Sequence, residues 1–211
     1  MRENENIRTF LAIDPPAVIL ENIAGMQNCL KRSIQGAVRW VRSEGIHLTL
    51  KFFGAIVAAD VEIISEVIAK RTAAVPPFFL EVGGLGAFPD AARPRIIWMG
   101  IAGQLASLLS LQKDLEEEFL LLGFSQEDRP FRAHLTVGRV KVPKGIAGLA
   151  PAIEGAGNQT ATLQGRRGGV VPEPPVAAGG GLHKTGGVSL ARIMKPSIKA
   201  KFPTFYEFII N

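Results

Sequence analysis

Two of the chain's three histidines open the same tetrapeptide, His47-Leu48-Thr49-Leu50 and His134-Leu135-Thr136-Val137. At this composition a His-x-Thr-apolar match arises by chance at roughly one histidine in fifty, so the duplicate marks two related segments. Both lie in runs rich in β-branched and aromatic residues, Ile46 to Phe53 and Phe131 to Val140, which predicts strands. Alternate side chains on a strand share a face, so histidine and threonine point the same way while Leu48 and Leu135 point to the other side. Each strand then lines a cleft above a core. An imidazole can give or take a proton near neutral pH, and a hydroxyl can donate a hydrogen bond to an anionic oxygen. Two such copies face to face supply an acid, a base and two donors around one tetrahedral group.

A single histidine on a half-apolar strand is more often structural than catalytic. Duplication reverses that weighting. Histidine is also a common metal ligand, but Cys29 is the only cysteine and neither motif has a His-x-x-x-His or carboxylate-rich neighbourhood to complete a shell. The pattern therefore predicts chemistry without a metal or another cofactor.

The paired motifs resemble the two-histidine phosphoesterase superfamily. Their surroundings resemble one branch of it, the RNA 2′,3′-cyclic phosphodiesterases once called 2′-5′ RNA ligases. Residues 8–14, Arg-Thr-Phe-Leu-Ala-Ile-Asp, are similar to that family's opening strand, and Val38-Arg39-Trp40-Val41 with Ile46 to Gly54 to its first motif block. Gly84 to Pro89 and Arg93 to Trp98 resemble its central signature, and Arg129 to Ala133 leading into His134, with Arg139 after it, its second block. The likeness covers residues 7 to about 154 in order. It implies an α+β fold of two pseudo-symmetric lobes, each an antiparallel sheet backed by helices, around a central cleft that holds the histidines.

The periodicities agree with strands over 7–13, 37–42, 46–54, 78–86, 94–101 and 132–141, and helices over 16–33, 60–74 and 103–122. Leu105, Leu108, Leu109, Leu111, Leu115 and Phe119 carry the helical spacing of the last, and Gly123 supplies a stop. No glycine-rich phosphate loop joins a strand to a helix. Gly83-Gly84-Leu85-Gly86 precedes Ala87-Phe88-Pro89 and not a helix, and is read as a turn.

A chain of 211 residues with 47% hydrophobic content can bury a sizeable core. It has no run of 18 apolar residues, and its charged start lacks the apolar stretch of a signal peptide, which predicts a cytoplasmic protein without a membrane partner. A single cysteine fits that compartment. The net charge of +5 says little about nucleic acid, because the acids and bases of residues 1–154 balance and the excess lies in residues 155–211. Arg39, Arg42, Lys51, Arg132 and Arg139 nevertheless lie near the motifs and could form a local basic cleft.

The chain departs from the family pattern after Glu154. Residues 155–187 hold nearly half of its 23 glycines and show neither strand alternation nor helical spacing. Back-translation of Val170 to Met194 one base out of phase can spell the family's usual ending. This predicts a domain over 1–154 followed by a frameshifted, irregular tail over 155–211, with an incomplete second lobe and little packing of residues 155 to about 200 onto the body. The run Phe202 to Ile210 is apolar enough for an opportunistic strand. His183 carries no expected role.

The resemblance implies hydrolysis of a 2′,3′-cyclic phosphate at an RNA 3′ end to a 2′-phosphomonoester, with reversal giving a 2′-5′ ligation. His134 would be the base and His47 the acid, with Thr49, Thr136, Arg132 and Arg139 binding the substrate. RNA ends, tRNA fragments among them, are the implied partners of a monomeric enzyme. Two other readings stay open. One is an RNA-end-binding module with little turnover, which a comparison with the restored ending would separate. The other is an esterase of small cyclic phosphates, which competition with RNA ends would separate.

Overall fold

The computed structural model describes residues 6–142, 146–164 and 196–201. In chain order the elements are β1 (Asn6–Ile13), α1 (Ala17–Ser33), β2 (Val38–Trp40), β3 (Leu48–Val57), α2 (Ala58–Ala73), β4 (Leu80–Phe88), β5 (Ile96–Gly103), α3 (Leu105–Leu121), β6 (His134–Val140), α4 (Leu149–Gln164) and β7 (Pro196–Lys201). The strands run in the order β4-β5-β6-β3-β1-β7 with β2 on β6, every pair antiparallel.

The two halves of this sheet meet at β3 and β6, whose register holds a single pair, Leu48 with Leu135. One lobe is β7-β1-β3 and the other β6-β5-β4 with β2, as the α+β, two-lobed expectation requires. The segments β1-α1-β3 and β5-α3-β6 repeat one another about that junction. Each helix crosses over. Helix α1 follows β1 but its Gln27 reaches Val137 of β6, and α3 follows β5 but its Gln112 reaches Leu50 of β3. Helix α2 packs beside α3 and β3, and α4 packs on β4 and α1.

Helical spacing decides what these helices bury. Ile19, Ile23, Gln27 and Leu30 fall on one face of α1, and Leu108, Leu111, Gln112, Leu115 and Phe119 on one face of α3. Gly123, at φ +90°, allows the left-handed turn after α3, where the Phe124 amide donates back to the Phe119 carbonyl. The buried side chains of both lobes form one core cluster, from Ile7 and Leu11 through Ile64, Ile97 and Phe119 to Val137 and Leu149.

Two expectations fail. Gly83 to Gly86 is not a turn but the middle of β4, with a register shift between Gly83 and Leu85 where Gly84 takes φ +67°. Gly86 and, on the neighbouring strand, Gly100 have packing reasons. A Cβ at Gly86 would run into the Trp98 indole on the neighbouring strand, and one at Gly100 would come within 2.9 Å of the Gly83 carbonyl oxygen. Irregular structure does not begin at Glu154 either. Helix α4 continues to Gln164, because Gly155 and Gly157 lower helical propensity without breaking hydrogen bonds, and Pro151 sits in the first turn, where its missing N–H costs nothing. Residues 196–201 pair along β1 from Arg8 to Ile13. The stretch 165–195, with His183 and most of the back-translated segment, and the run 202–210 lie outside the described residues.

Candidate active site

The Leu48–Leu135 pair organises the site. Both leucines are buried, at 3% and 1% exposure, so the residues flanking them turn to the opposite face. In an antiparallel register the flanking positions fall crosswise, His47 opposite Thr136 and Thr49 opposite His134. All four side chains are partly exposed. Two imidazoles and two hydroxyls thus gather on one face across the junction of the lobes.

Each histidine has aromatic company. Phe10 of β1 stacks on His47 with centroids 4.8 Å apart and planes at 27°. Phe88 meets His134 edge to face at 5.0 Å, and Trp98 lies 6.4 Å from it. Rings of this kind hold an imidazole's orientation and exclude water from one side of it. The Nδ1 of His134 lies 2.6 Å from the Arg132 carbonyl oxygen. A carbonyl only accepts, so Nδ1 carries the proton and the lone pair of the neutral ring is on Nε2.

Two bulges shape the same face. In the β1–β3 register Leu11 pairs with Lys51 and Ala12 with Thr49, which leaves Leu50 without a partner. In the β5–β6 register Ile97 pairs with Gly138 and Trp98 with Thr136, which leaves Val137 without one. The extra residue sits in the fourth position of each tetrapeptide. A bulge breaks the two-residue alternation, so consecutive residues Leu50 and Lys51, and Val137 and Gly138, all face the core. The next residues, Phe52 and Arg139, therefore return to the histidine face, where Phe52 lies 5.9 Å from Phe10 and is 61% exposed.

The basic residues divide. Arg139 lies on the cleft face opposite Arg39 of β2, and both are exposed. Arg132 is exposed, with its guanidinium 5.8 Å from the Phe88 ring centroid. Arg42 is exposed in the loop before β3. Lys51 does not belong to the cleft. The bulge turns it inward, where it is 2% exposed and its ammonium meets Glu116 Oε2 at 2.7 Å and the Ser125 carbonyl at 2.8 Å.

Sequence reasoning did not single out Phe10, Phe52, Phe88 and Trp98 as neighbours of the histidines, nor Gln27 and Gln112. A signal for the glutamines was present. Each falls on an otherwise apolar helical face, and a buried amide there needs partners. Among the described residues no three His, Cys, Asp or Glu side chains gather as a metal shell, and no helix is long and apolar enough to cross a membrane.

Comparison with known proteins gives the same picture. The model of the LigT-like phosphoesterases matches residues 13–98 and 101–178. An RNA 2′,3′-cyclic phosphodiesterase of Methanothermobacter thermautotrophicus is 35% identical over 147 residues, 70% of this chain and 78% of that one. One of Thermotoga maritima is 34% identical over 135 residues, covering 64% and 71%. Among solved structures, Escherichia coli LigT complexed with 3′-AMP superposes with a TM-score of 0.55 at 27% identity, over 66% of this chain and 76% of that one. With both tetrapeptides, the crossed helices and the two lobes in place, the chain belongs to the family of LigT-like phosphoesterases.

Proposed function

We propose that this chain hydrolyses 2′,3′-cyclic phosphate ends of RNA to 2′-phosphomonoesters, by acid–base catalysis between two imidazoles and without a metal. The observation that carries the reading is the crosswise set of His47, Thr136, Thr49 and His134 about the Leu48–Leu135 pair. Relatives that carry the name RNA 2′,3′-cyclic phosphodiesterase support the choice of substrate.

The hydrogen bond from His134 Nδ1 to the Arg132 carbonyl favours His134 as the base, since it leaves the Nε2 lone pair for a proton from the attacking water. The new bond forms between that water's oxygen and phosphorus, and the bond from phosphorus to the ribose 3′ oxygen breaks. His47, as the imidazolium, gives its proton to that departing oxygen, and the phosphate stays on the 2′ oxygen. Thr49 and Thr136 donate to the non-bridging oxygens, where negative charge grows in the transition state. Arg139 on the same face and Arg132 at its rim attract the phosphodiester. With a 5′-hydroxyl in place of water as the nucleophile, the same displacement of the 3′ oxygen gives a 2′-5′ linkage. The enzyme acts as a cytoplasmic monomer, with tRNA fragments among its RNA ends.

The test is incubation of a short RNA ending in a 2′,3′-cyclic phosphate, with the product identified by mass and by its terminal linkage. A 2′-phosphomonoester is expected. A 3′-phosphomonoester, or no conversion, overturns the proposal, and tight RNA binding without conversion favours the binding module instead.

A further inference from the structure

The two bulges are each held by a buried glutamine from a crossing helix. Gln27 of α1 is 6% exposed, and its Nε2 donates to the Val137 carbonyl at 2.9 Å and to the Val41 carbonyl at 2.9 Å. Gln112 of α3 is 9% exposed, and its Nε2 donates to the Leu50 carbonyl at 3.3 Å. Val137 and Leu50 are the residues that the β5–β6 and β1–β3 registers skip directly after the two His-x-Thr triplets. The same amide donor meets the same bulged position of each motif, from helices that occupy equivalent places in the two halves.

The pairing has a physical reason. An extra residue in a strand leaves its backbone groups outside the ladder, and a buried carbonyl without a donor costs free energy. A straight ladder would remove that cost by sliding the strand one residue. That slip would turn every later side chain to the other face. In β6 it would send Arg139 into the core and bring Gly138 to the cleft. A glutamine amide behind the bulge opposes the slip, because its bond to the bulged carbonyl forms only where the bulge places that carbonyl. Gln27 does more than Gln112, since its second proton ties the Val41 carbonyl at the end of β2 to the same point, beside the Val41 amide that donates to Val137 at 3.0 Å.

We infer that Gln27 and Gln112 are positioning residues, which lock the bulges after the two His-x-Thr motifs and so hold Arg139 and Phe52 on the histidine face. The inference rests on the functional reading above for its kinetic consequence and on the registers alone for its structural one. Neither glutamine reaches the cleft. Gln27 acts through Arg139.

The experiment replaces Gln27 with Met, which keeps length and volume and removes the donor. With an RNA 2′,3′-cyclic phosphate as substrate, Gln27→Met raises KM about tenfold and changes kcat less than about threefold, because a misdirected arginine loses ground-state and transition-state binding together. Arg139→Ala does the same. The double variant Gln27→Met/Arg139→Ala is no worse than Arg139→Ala alone, since an arginine already removed cannot be misdirected. Independent, multiplying effects overturn the inference, as does an unchanged KM accompanied only by a lower melting temperature. Amide hydrogen exchange is followed in parallel on Gln27→Met and Gln112→Met, with faster exchange expected at residues 137–139 and 50–52 respectively. Unchanged exchange there overturns the locking role. If the parent chain hydrolyses no cyclic phosphate, the functional reading fails by itself and the exchange measurement decides the positioning role. If Gln27→Met does not fold, the Gln112→Met exchange arm decides it.

Discussion

Leu48 and Leu135 form the single registered pair between the two lobes among the described residues, and they are the middle residues of the two His-x-Thr motifs. The core therefore fixes the distance between the catalytic candidates. Two buried leucines, one from each half, set the crosswise square of imidazoles and hydroxyls on the opposite face. A bond that breaks with acid and base on opposite sides of phosphorus needs this kind of fixed separation.

His47→Ala and His134→Ala are each expected to lower the hydrolysis rate by about 10²- to 10⁴-fold, the usual worth of a placed proton-transfer group. Both side chains are partly exposed on the cleft face, so the folded state should survive either change. Steady-state kinetics with circular dichroism on the same samples tests this. Either variant within a few-fold of the parent would sink the acid–base pair.

Thr49→Val and Thr136→Val preserve shape and β-propensity but delete the hydroxyl that the proposed mechanism aims at a charged phosphoryl oxygen. Hydrogen bonds to charged groups contribute about 1.5–3 kcal/mol, which corresponds to roughly ten- to a hundredfold in kcat/KM. The two losses should be similar, because the hydroxyls occupy equivalent positions about the leucine pair. A loss at one threonine only would mean that the phosphate sits in one lobe.

Chelation discriminates between proton transfer and metal catalysis. EDTA at millimolar concentration is expected to leave the rate unchanged. Inhibition that added zinc or manganese reverses would replace the imidazole mechanism with a metal-assisted one.

Gly86→Ala probes the packing behind His134. The added methyl group collides with the Trp98 indole, which packs against Phe88 at 5.2 Å and lies near His134. Overpacking of this kind costs about 1–3 kcal/mol. The indole must shift, so kcat should fall along with stability. Gly83→Ala meets nothing within 4 Å and serves as the control. Equal melting temperatures for the two variants would mean that the indole moves aside freely.

The strands up to β6, three of the helices and the His-Thr pairing were legible because each rests on a short-range pattern. Alternation put His47 and Thr49 on one face, and 3.6-residue spacing marked the buried stripes of α1 and α3. What could not be read were departures from those periods. A bulge after Thr49 breaks the alternation, so Lys51 looked like a cleft residue although it points inward. The glycines of β4 looked like a turn, because the indole that requires Gly86 comes from a neighbouring strand twelve residues on. Likewise, nothing local to α4 could show that its glycines would be carried by packing on β4 and α1.

The inward lysine gives the last prediction. Lys51 is 2% exposed and Glu116 12%, and the pair joins β3 to α3 one helical turn after Gln112. Its ammonium donates to Glu116 and the Ser125 carbonyl, whereas Glu116 Oε1 is buried with no hydrogen-bond partner. Taking Lys51 away leaves a carboxylate in the core with its remaining oxygen also unpaired. Breaking a buried pair from one side costs about 3–5 kcal/mol. Lys51→Met should therefore lower the melting temperature by roughly ten degrees in a chain of this size. Replacing both partners, as Lys51→Met/Glu116→Leu, removes the stranded charge and fills the space with apolar groups. The double variant is expected to recover most of the lost stability, since desolvating two charges offsets much of what their attraction contributes. Thermal unfolding of the parent, the single variant and the double variant decides the matter. A double variant as unstable as the single one would show that the lysine holds the Ser125 loop, and that its bond to that carbonyl matters more than its charge.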